Sequence, residues 1–342
     1  MIGERWLVAG SRQSMDVARL RRRILSWYGK QKRDLPWRQS RDPYRIWISE
    51  IMLQQTRVAA VIPYYERFLA RFPDVLALAA APEQELLAAW AGLGYYARAR
   101  NLHAAAKKIQ ELGGFPSDHA SIRELPGVGD YTAAAIGSIA FNLRHGVLDG
   151  NAARVLSRLT VERGSIDSGV VKKRLRASVD RLIDPKRPGE FNQALMELGA
   201  TVCLPKQPQC RQCPWACECQ AFRLGIQDEL PMRAGRPEAV GVEKQLLMIE
   251  RAGKILAWQR PAQSRRLAGF WELPETDQLP GAKVESRVAG FRHTIVNTNY
   301  RIAVFRASLA RTPKGFHWLT TKELGEIPLS TTTKKALACV TK

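Results

Sequence analysis

Hydrophobic positions along the first two hundred residues recur at helical spacing. Val17, Leu20, Ile24 and Leu25 keep a period near 3.6, as do Ile46, Trp47, Ile51, Met52 and Val58. Alanine-rich stretches at 77–81 and 104–106 favour helix, and Gly113-Gly114 followed by Pro116 separates one run from the next. No sustained alternation breaks this pattern before residue 200, which predicts an all-α domain over residues 16–225. At 226–239 the texture changes: Asp228-Glu229, Pro231 and Gly235-Arg236-Pro237 are polar and breaker-rich, as a linker is. Beyond it, runs at 240–250 and 255–260 flank Ala252-Gly253-Lys254, a hairpin pattern. Residues 301–309 alternate charged and apolar side chains, as an edge or half-buried strand does. Residues 240–342 are therefore expected to form a smaller domain built on a sheet.

Composition narrows the function classes. The 342 residues are 45% apolar and 25% charged, ordinary values for a globular protein of about two domains. No apolar run approaches the ~20 residues that a bilayer span requires, so no membrane partner is expected. The formal net charge is +21, and the excess is spread along the chain: 34 basic against 21 acidic groups before residue 226, and 19 against 11 after it. A folded chain this basic points to a polyanion, nucleic acid ahead of a membrane surface. No secretory signal opens the sequence, since Trp6-Leu7-Val8-Ala9 is too short for a cleavable apolar core. Met15 is an alternative start. An intracellular, reducing setting is expected, cytoplasmic and DNA-associated.

Cysteine usage carries the sharpest chemical signal. Cys203, Cys210, Cys213 and Cys219 form a C-x6-C-x2-C-x5-C array. Four closely spaced thiolates can surround one tetrahedral zinc or cap the irons of a cubane cluster, and the spacing leaves both open. Cys217 lies in the same loop and competes for a place. A disulfide-bonded loop is the weaker alternative in a reducing compartment.

A second signal is Leu125-Pro126-Gly127-Val128-Gly129-Asp130-Tyr131-Thr132, followed by the helical Ala133-Ala134-Ala135-Ile136. Gly127 and Gly129 permit a tight turn whose backbone N–H groups face outward toward a phosphate. A lone G-x-G is usually just a turn; between two helices in a +21 chain it reads as a helix–hairpin–helix on a DNA backbone.

The hairpin, then Leu148-Asp149-Gly150-Asn151, then the four-Cys loop, in that order, resemble the helix–hairpin–helix DNA glycosylases. More narrowly, Asp34-Leu35-Pro36-Trp37-Arg38, the run from Ser49 to Thr56 and the run from Gly92 to Leu102 are similar to MutY-type adenine DNA glycosylases. The resemblance extends over residues 16–225. It implies a multidomain protein: an all-α, two-lobed glycosylase domain with a [4Fe–4S] loop, plus a C-terminal α+β Nudix-like domain. It also implies hydrolysis of the N-glycosidic bond of adenine opposite 8-oxoguanine or guanine in double-stranded DNA by a monomeric enzyme. The alternatives are a mismatch glycosylase of different base specificity, or a non-catalytic iron–sulfur DNA-binding protein.

The residues suit that chemistry. Base release needs an acid for the leaving base and a negative group beside the oxocarbenium-like sugar, two tasks for two carboxylates. Glu50 sits among Ile46, Trp47, Ile51 and Leu53, where partial burial would keep it protonated. Asp149, before a helix and beside Gly150 and Asn151, is the expected charged stabiliser or transient nucleophile. Taken alone, the first is as easily a helix-surface carboxylate and the second a helix N-cap. The endonuclease III branch carries a Lys before the hairpin Thr as Schiff-base nucleophile. Tyr131 stands there in this chain, and a phenol forms no imine, so the strand is expected to stay intact. Ala153 replaces a lysine that traps abasic sugar in some members. By resemblance, Gln55 and Tyr95 wedge into the duplex, Arg38 and Glu197 line the adenine pocket, and Glu197 accepts from the adenine amino group.

Residues 259–261 and Leu267-Ala268-Gly269-Phe270-Trp271-Glu272-Leu273-Pro274 resemble the Nudix-like domain of these enzymes. The Glu-rich metal helix of a working Nudix hydrolase does not follow, because residues 275–281 read Glu-Thr-Asp-Gln-Leu-Pro-Gly. Lesion recognition is expected in its place. The family's Phe-Ser-His is also missing after Phe291-Arg292-His293-Thr294, where Ile295-Val296-Asn297 stands, and Asn297 is the candidate replacement donor.

Overall fold

The computed structural model describes residues 5–7, 14–235, 238–261, 263–264, 267–295 and 297–340. A short antiparallel pair, β1 (Arg5–Leu7) and β2 (Ser14–Asp16), precedes the helices. Helix α1 (Val17–Gln31) starts where the Asp16 carboxylate accepts from the Arg19 N–H at 3.0 Å. Helix α2 (Pro43–Leu53) combines an Asp42 N-cap with Pro43 in its first turn. Tyr44 and every residue from Ile46 to Met52 are buried, so α2 runs through the core and takes Glu50 with it.

Helices α3 (Val58–Arg71), α4 (Val75–Ala80), α5 (Glu83–Ala89), α6 (Ala97–Glu111) and α7 (His119–Arg123) follow. Then come α8 (Asp130–Phe141), α9 (Gly150–Thr160), α10 (Gly169–Leu182), α11 (Pro188–Thr201) and the short α12 (Gln220–Leu224). The 3.6-residue apolar stripes of α1, α9, α10 and α11 meet in one core around Leu20, Ile24, Leu156, Val179 and Phe191. Trp215 from the cysteine loop completes that core, and its indole N–H donates to the Leu20 carbonyl at 2.9 Å. Among the described residues, no helix is long and apolar enough to cross a membrane.

The C-terminal elements are β3 (Val240–Arg251), β4 (Lys254–Gln259), β5 (Trp271–Glu272), β6 (Lys283–Ile295), β7 (Thr298–Ser308), β8 (Phe316–Thr320), α13 (Thr321–Glu326) and α14 (Thr331–Val340). They form a mixed sheet in the order β5-β4-β3-β7-β6, with β8 on β4. The expected hairpin is β3–β4, turning at Ala252 and Gly253, both with positive φ. Strand β7 departs from the edge-strand reading. It lies inside the sheet, parallel to β3 on one side and antiparallel to β6 on the other. Both of its faces are covered, with Ile302 and Val304 in one core and Ala307 in the other.

The chain divides into two compact units, residues 1–80 with 101–235, and residues 81–100 with 236–342. The segment expected as a linker from residue 226 is packed on the helical unit through residue 235. Leu230 is buried and its carbonyl accepts from Arg158 Nε at 2.9 Å; the Met232 carbonyl accepts from the Ile166 N–H at 3.0 Å. Arg236 and Pro237 lie outside the described residues.

Candidate active site

A cavity of about 220 Å³ opens in the helical unit, walled by α2, α8, α9, α11 and the turn around Trp37. Glu50, Tyr131, Asp149, Asn151, Arg38 and Glu197 all line it, so residues separated by as much as 159 positions converge on one cavity. Glu50 is 6% exposed, and the Tyr131 hydroxyl donates to its Oε2 at 2.8 Å. Burial pushes the Glu50 carboxyl up to about 7, and the nearby Asp149 charge adds to this; the Tyr131 hydrogen bond and Arg38 pull the other way. A carboxyl titrating there holds its proton near neutrality and can give it up, which is what a general acid must do.

Asp149 is half-buried and serves both readings at once. It is the N-cap of α9, accepting from the Ala152 N–H at 2.6 Å, and it lines the same cavity as Glu50. Its other oxygen accepts from Asn151 Nδ2 at 3.0 Å. Burial raises its pKa, while the Ala152 and Asn151 hydrogen bonds and the Arg154 charge oppose the rise. Arg154 Nη2 donates to Asn151 Oδ1 and to the Gly199 carbonyl, each at 2.8 Å, and its Nε donates to the Cys203 carbonyl at 2.8 Å. A chain of hydrogen bonds therefore runs from the Asp149 carboxylate to the first residue of the cysteine loop. Arg154 carried no signal in the sequence beyond its position three residues after Asn151.

The opposite wall differs from the expectation for Glu197. Its side chain is wholly buried, and both oxygens are engaged. Oε1 accepts from the Arg33 backbone N–H (3.1 Å) and from Arg33 Nε (2.7 Å); Oε2 accepts from Arg33 Nη2 (2.8 Å) and Arg38 Nη2 (2.7 Å). A carboxylate has about four acceptor sites, and all four are taken. Burial by itself would raise the Glu197 pKa, but the bonds from Arg33 and Arg38 hold it at about 2. An incoming amino group therefore meets a carboxylate already saturated by guanidinium donors. Arg33, one residue before the Asp34 motif, was not legible as a site residue. Arg38 also lies over the Tyr28 ring, 5.4 Å from its centroid.

In the hairpin, Gly127 has φ +74°, and the Val128 N–H donates to the Leu125 carbonyl at 3.0 Å. A Cβ at Gly127 would meet Asn101 Cβ at 2.6 Å, so glycine is required there twice over. Gly129 is the residue before α8, leaving the first N–H groups of that helix without a side-chain cap. The two wedge candidates share an unusual backbone. Gln55 (φ +59°) and Tyr95 (φ +49°) are exposed non-glycine residues in the left-handed region.

Cys203, Cys210, Cys213 and Cys219 line one cavity of about 20 Å³, while Cys217 and Cys339 are exposed and outside it. Arg158, buried beneath the loop, donates from Nη1 toward Cys203 Sγ at 3.3 Å and to the Leu204 carbonyl at 2.6 Å. Among the described residues, no three His, Cys, Asp or Glu side chains are grouped to hold a single metal ion.

In the C-terminal unit, Glu275 precedes a single 3-10 turn at Thr276–Gln278, in the place where a Glu-rich metal helix would lie. Asn297 is in the turn between β6 and β7, and Val296 beside it lies outside the described residues. The Asn297 amide donates one of its two N–H groups to the Glu238 carbonyl at 2.7 Å, which ties the turn to the strand start.

A family model for HhH-GPD superfamily base excision DNA repair proteins matches residues 48–181. An adenine DNA glycosylase of Mus musculus is 35% identical over 399 residues, covering 94% of this chain and 77% of the mouse protein. The adenine DNA glycosylase of Homo sapiens is 35% identical, covering 95% and 74%. Among solved structures, a thermostable thymine-DNA glycosylase matches with TM-score 0.54 and 28% identity over 61% of this chain and 97% of its own. An endonuclease III–DNA complex matches with TM-score 0.52 at 22% identity over 62% and 97%, a likeness of fold.

Proposed function

Because the chain belongs to the adenine DNA glycosylases of the helix–hairpin–helix base-excision-repair superfamily, we propose that it releases adenine mispaired with 8-oxoguanine, or with guanine, from duplex DNA and leaves the strand uncut. The observation that carries this reading is the pairing of two carboxylates on one cavity, one held near neutrality by burial and the other locked at a helix N-terminus. In the proposed reaction, protonated Glu50 delivers its proton to the extruded adenine as the N-glycosidic bond breaks, with the bonding electrons leaving on the base. Asp149 stabilises the positive charge that develops on the sugar, and water completes the hydrolysis. Tyr131 orients the Glu50 carboxyl. It offers a phenol where a lyase needs an amine, which supports hydrolysis without strand cleavage.

The four cysteines are the residues that would hold a [4Fe–4S] cluster, the group the family resemblance implies: all four line one cavity and Cys217 stands outside it. Such a cluster supplies a covalent staple to the loop, and the hydrolysis is carried by the carboxylates. DNA is the partner. The hairpin N–H groups around Gly127 and Gly129 suit a phosphate, the cavity beside Arg38, with Glu197 holding that guanidinium in place, suits the flipped base, and the domain at 240–342 suits the opposing lesion, with Asn297 at its turn. We take residues 16–225 as the core of the glycosylase domain, with the segment expected as a connection at 226–239 belonging to it as far as residue 235 and residues 81–100 grouping with the sheet. The test is a single-turnover assay on duplexes carrying A:8-oxoG, A:G and T:G, each read with and without alkali. Alkali-dependent cleavage at adenine in the first two supports the reading; release of thymine alone, or cleavage without alkali, overturns it.

A further inference from the structure

Tyr95 stands exposed at 50% on a left-handed backbone, and the next residue is its opposite. Tyr96 is 6% exposed, and its ring lies 4.0 Å from that of Phe270, centroid to centroid, at 53°. Phe270 is fully buried in the turn that leads into β5. Arg100, one helical turn after Tyr96, donates to the carbonyl of Ala268 in the same turn and pairs with Glu83 at 2.7 Å. The turn is fixed in its own right. The Gly269 N–H donates to the Arg260 carbonyl at 3.0 Å, and the Arg260 N–H to the Phe270 carbonyl at 2.8 Å. Residues 81–100 accordingly form one compact unit with the sheet. On the other side of the wedge candidate, the Arg98 guanidinium lies 5.7 Å from the Tyr95 ring centroid and 5.4 Å from that of Trp90. Its Nη2 donates to the Leu93 and Gly94 carbonyls at 3.0 and 3.2 Å.

From this arrangement we propose that Phe270, through Tyr96, and Arg100, through the Ala268 carbonyl, are positioning residues for base extrusion that hold Tyr95 in its exposed stance. The proposal rests on the reading of Tyr95 as a side chain that enters the duplex. A wedge unstacks bases only if its support yields less than the stack does, and a loop residue in a strained backbone region needs such support from outside its own loop. The buried Tyr96–Phe270 pair supplies it, so the sheet domain presents the wedge as well as any lesion-reading surface.

The test uses full-length protein and duplex DNA with 2-aminopurine beside the target adenine, whose fluorescence rises when the stack opens. Phe270→Ala and Arg100→Gln should each slow that rise, and single-turnover release from A:8-oxoG, by about three- to tenfold, the worth of one aromatic pair for the first and of one hydrogen bond for the second. Neither should slow release of adenine from a single-stranded bulge, where no stack opposes extrusion. In a Tyr95→Ala background neither should add a further loss. Should Phe270→Ala unfold the sheet, Arg100→Gln decides, because that side chain is partly exposed and its loss leaves the core intact. Unchanged opening rates, an equal loss on the bulged adenine, or an equal loss in the Tyr95→Ala background would each overturn the proposal. Tyr95→Ala without effect on stack opening removes the wedge reading and this proposal with it. Failure to release adenine from any substrate, with stack opening still dependent on Phe270, removes the catalytic reading alone.

Discussion

At the scale of single residues, the site depends on opposite treatments of two buried carboxylates. Among the described residues, Glu50 has one hydroxyl donor and no ion pair, so burial dominates and its pKa rises to about 7 from 4.5. Glu197 is at least as enclosed, but two arginines satisfy every acceptor it has, and its pKa falls to about 2. The first consequence is kinetic. Under the proposed mechanism base release requires protonated Glu50, so the single-turnover rate should hold below pH ~7 and fall as pH rises beyond it, about tenfold per pH unit. Glu50→Gln should lower the rate at least ~10²-fold while mismatch affinity persists. The second is thermodynamic. The folded state holds the Glu50 proton to higher pH than the unfolded chain does, so stability declines as pH rises from about 4.5 to about 7, by roughly 1.4 kcal/mol for each pH unit in that window. Glu50→Gln should therefore melt above the wild type at pH 8 and level with it near pH 4.5, measured by scanning calorimetry. A variant that melts lower at pH 8 would mean that the Tyr131 hydrogen bond outweighs the burial of charge.

At the scale of elements, the two hairpin glycines separate cleanly. Gly127 combines φ +74° with backbone packed against Asn101, whereas Gly129 has nothing within 4 Å of its missing Cβ and an ordinary φ. Gly127→Ala should cost about 1–2 kcal/mol and weaken binding to any duplex. Gly129→Ala should change stability by well under ~1 kcal/mol. Chemical denaturation and a binding titration on undamaged DNA check both, and equal effects at the two positions would refute the distinction. The cysteine loop makes a similar contrast. Cys217→Ser should keep full iron and sulfide content, near four each per chain for a cubane cluster, while Cys213→Ser should lose it. Stoichiometric zinc with no visible absorbance would refute the cluster.

For the whole molecule, a charge of +21 spread over both halves of the chain sets the long-range behaviour. If six to ten of its cations meet phosphates, affinity for undamaged duplex should fall at least ~10³-fold between 50 and 200 mM salt. A shallow log–log slope in a salt titration would place most of the charge away from the DNA. Discrimination between mismatches should be less salt-sensitive than affinity, because phosphate contacts carry little base information.

The order of helices, the hairpin, the cysteine array and the switch to strands are all legible along the chain, because each rests on local spacing: 3.6-residue stripes, breaker pairs, x2 and x6 gaps between thiols. Glu50, Tyr131 and Asp149 are legible too, though as family positions more than as physics; by itself Asp149 is only an N-cap, and it remains one in the folded chain. Partners across sequence distance are out of reach. Arg33 and Arg154 look like any solvated arginine until folding closes one onto Glu197 and the other onto Asn151. The alternation in β7 is plain in its sequence, but its place inside the sheet depends on β3 and β6 pairing with both its edges, which no property of the strand itself encodes. The same holds for residues 81–100, whose helical texture matches the rest of the first domain while Tyr96 and Arg100 meet Phe270 and Ala268 some 170 residues away. Local pattern fixes which elements form; burial of a shared surface decides which of them meet, and that surface exists only once the chain has folded.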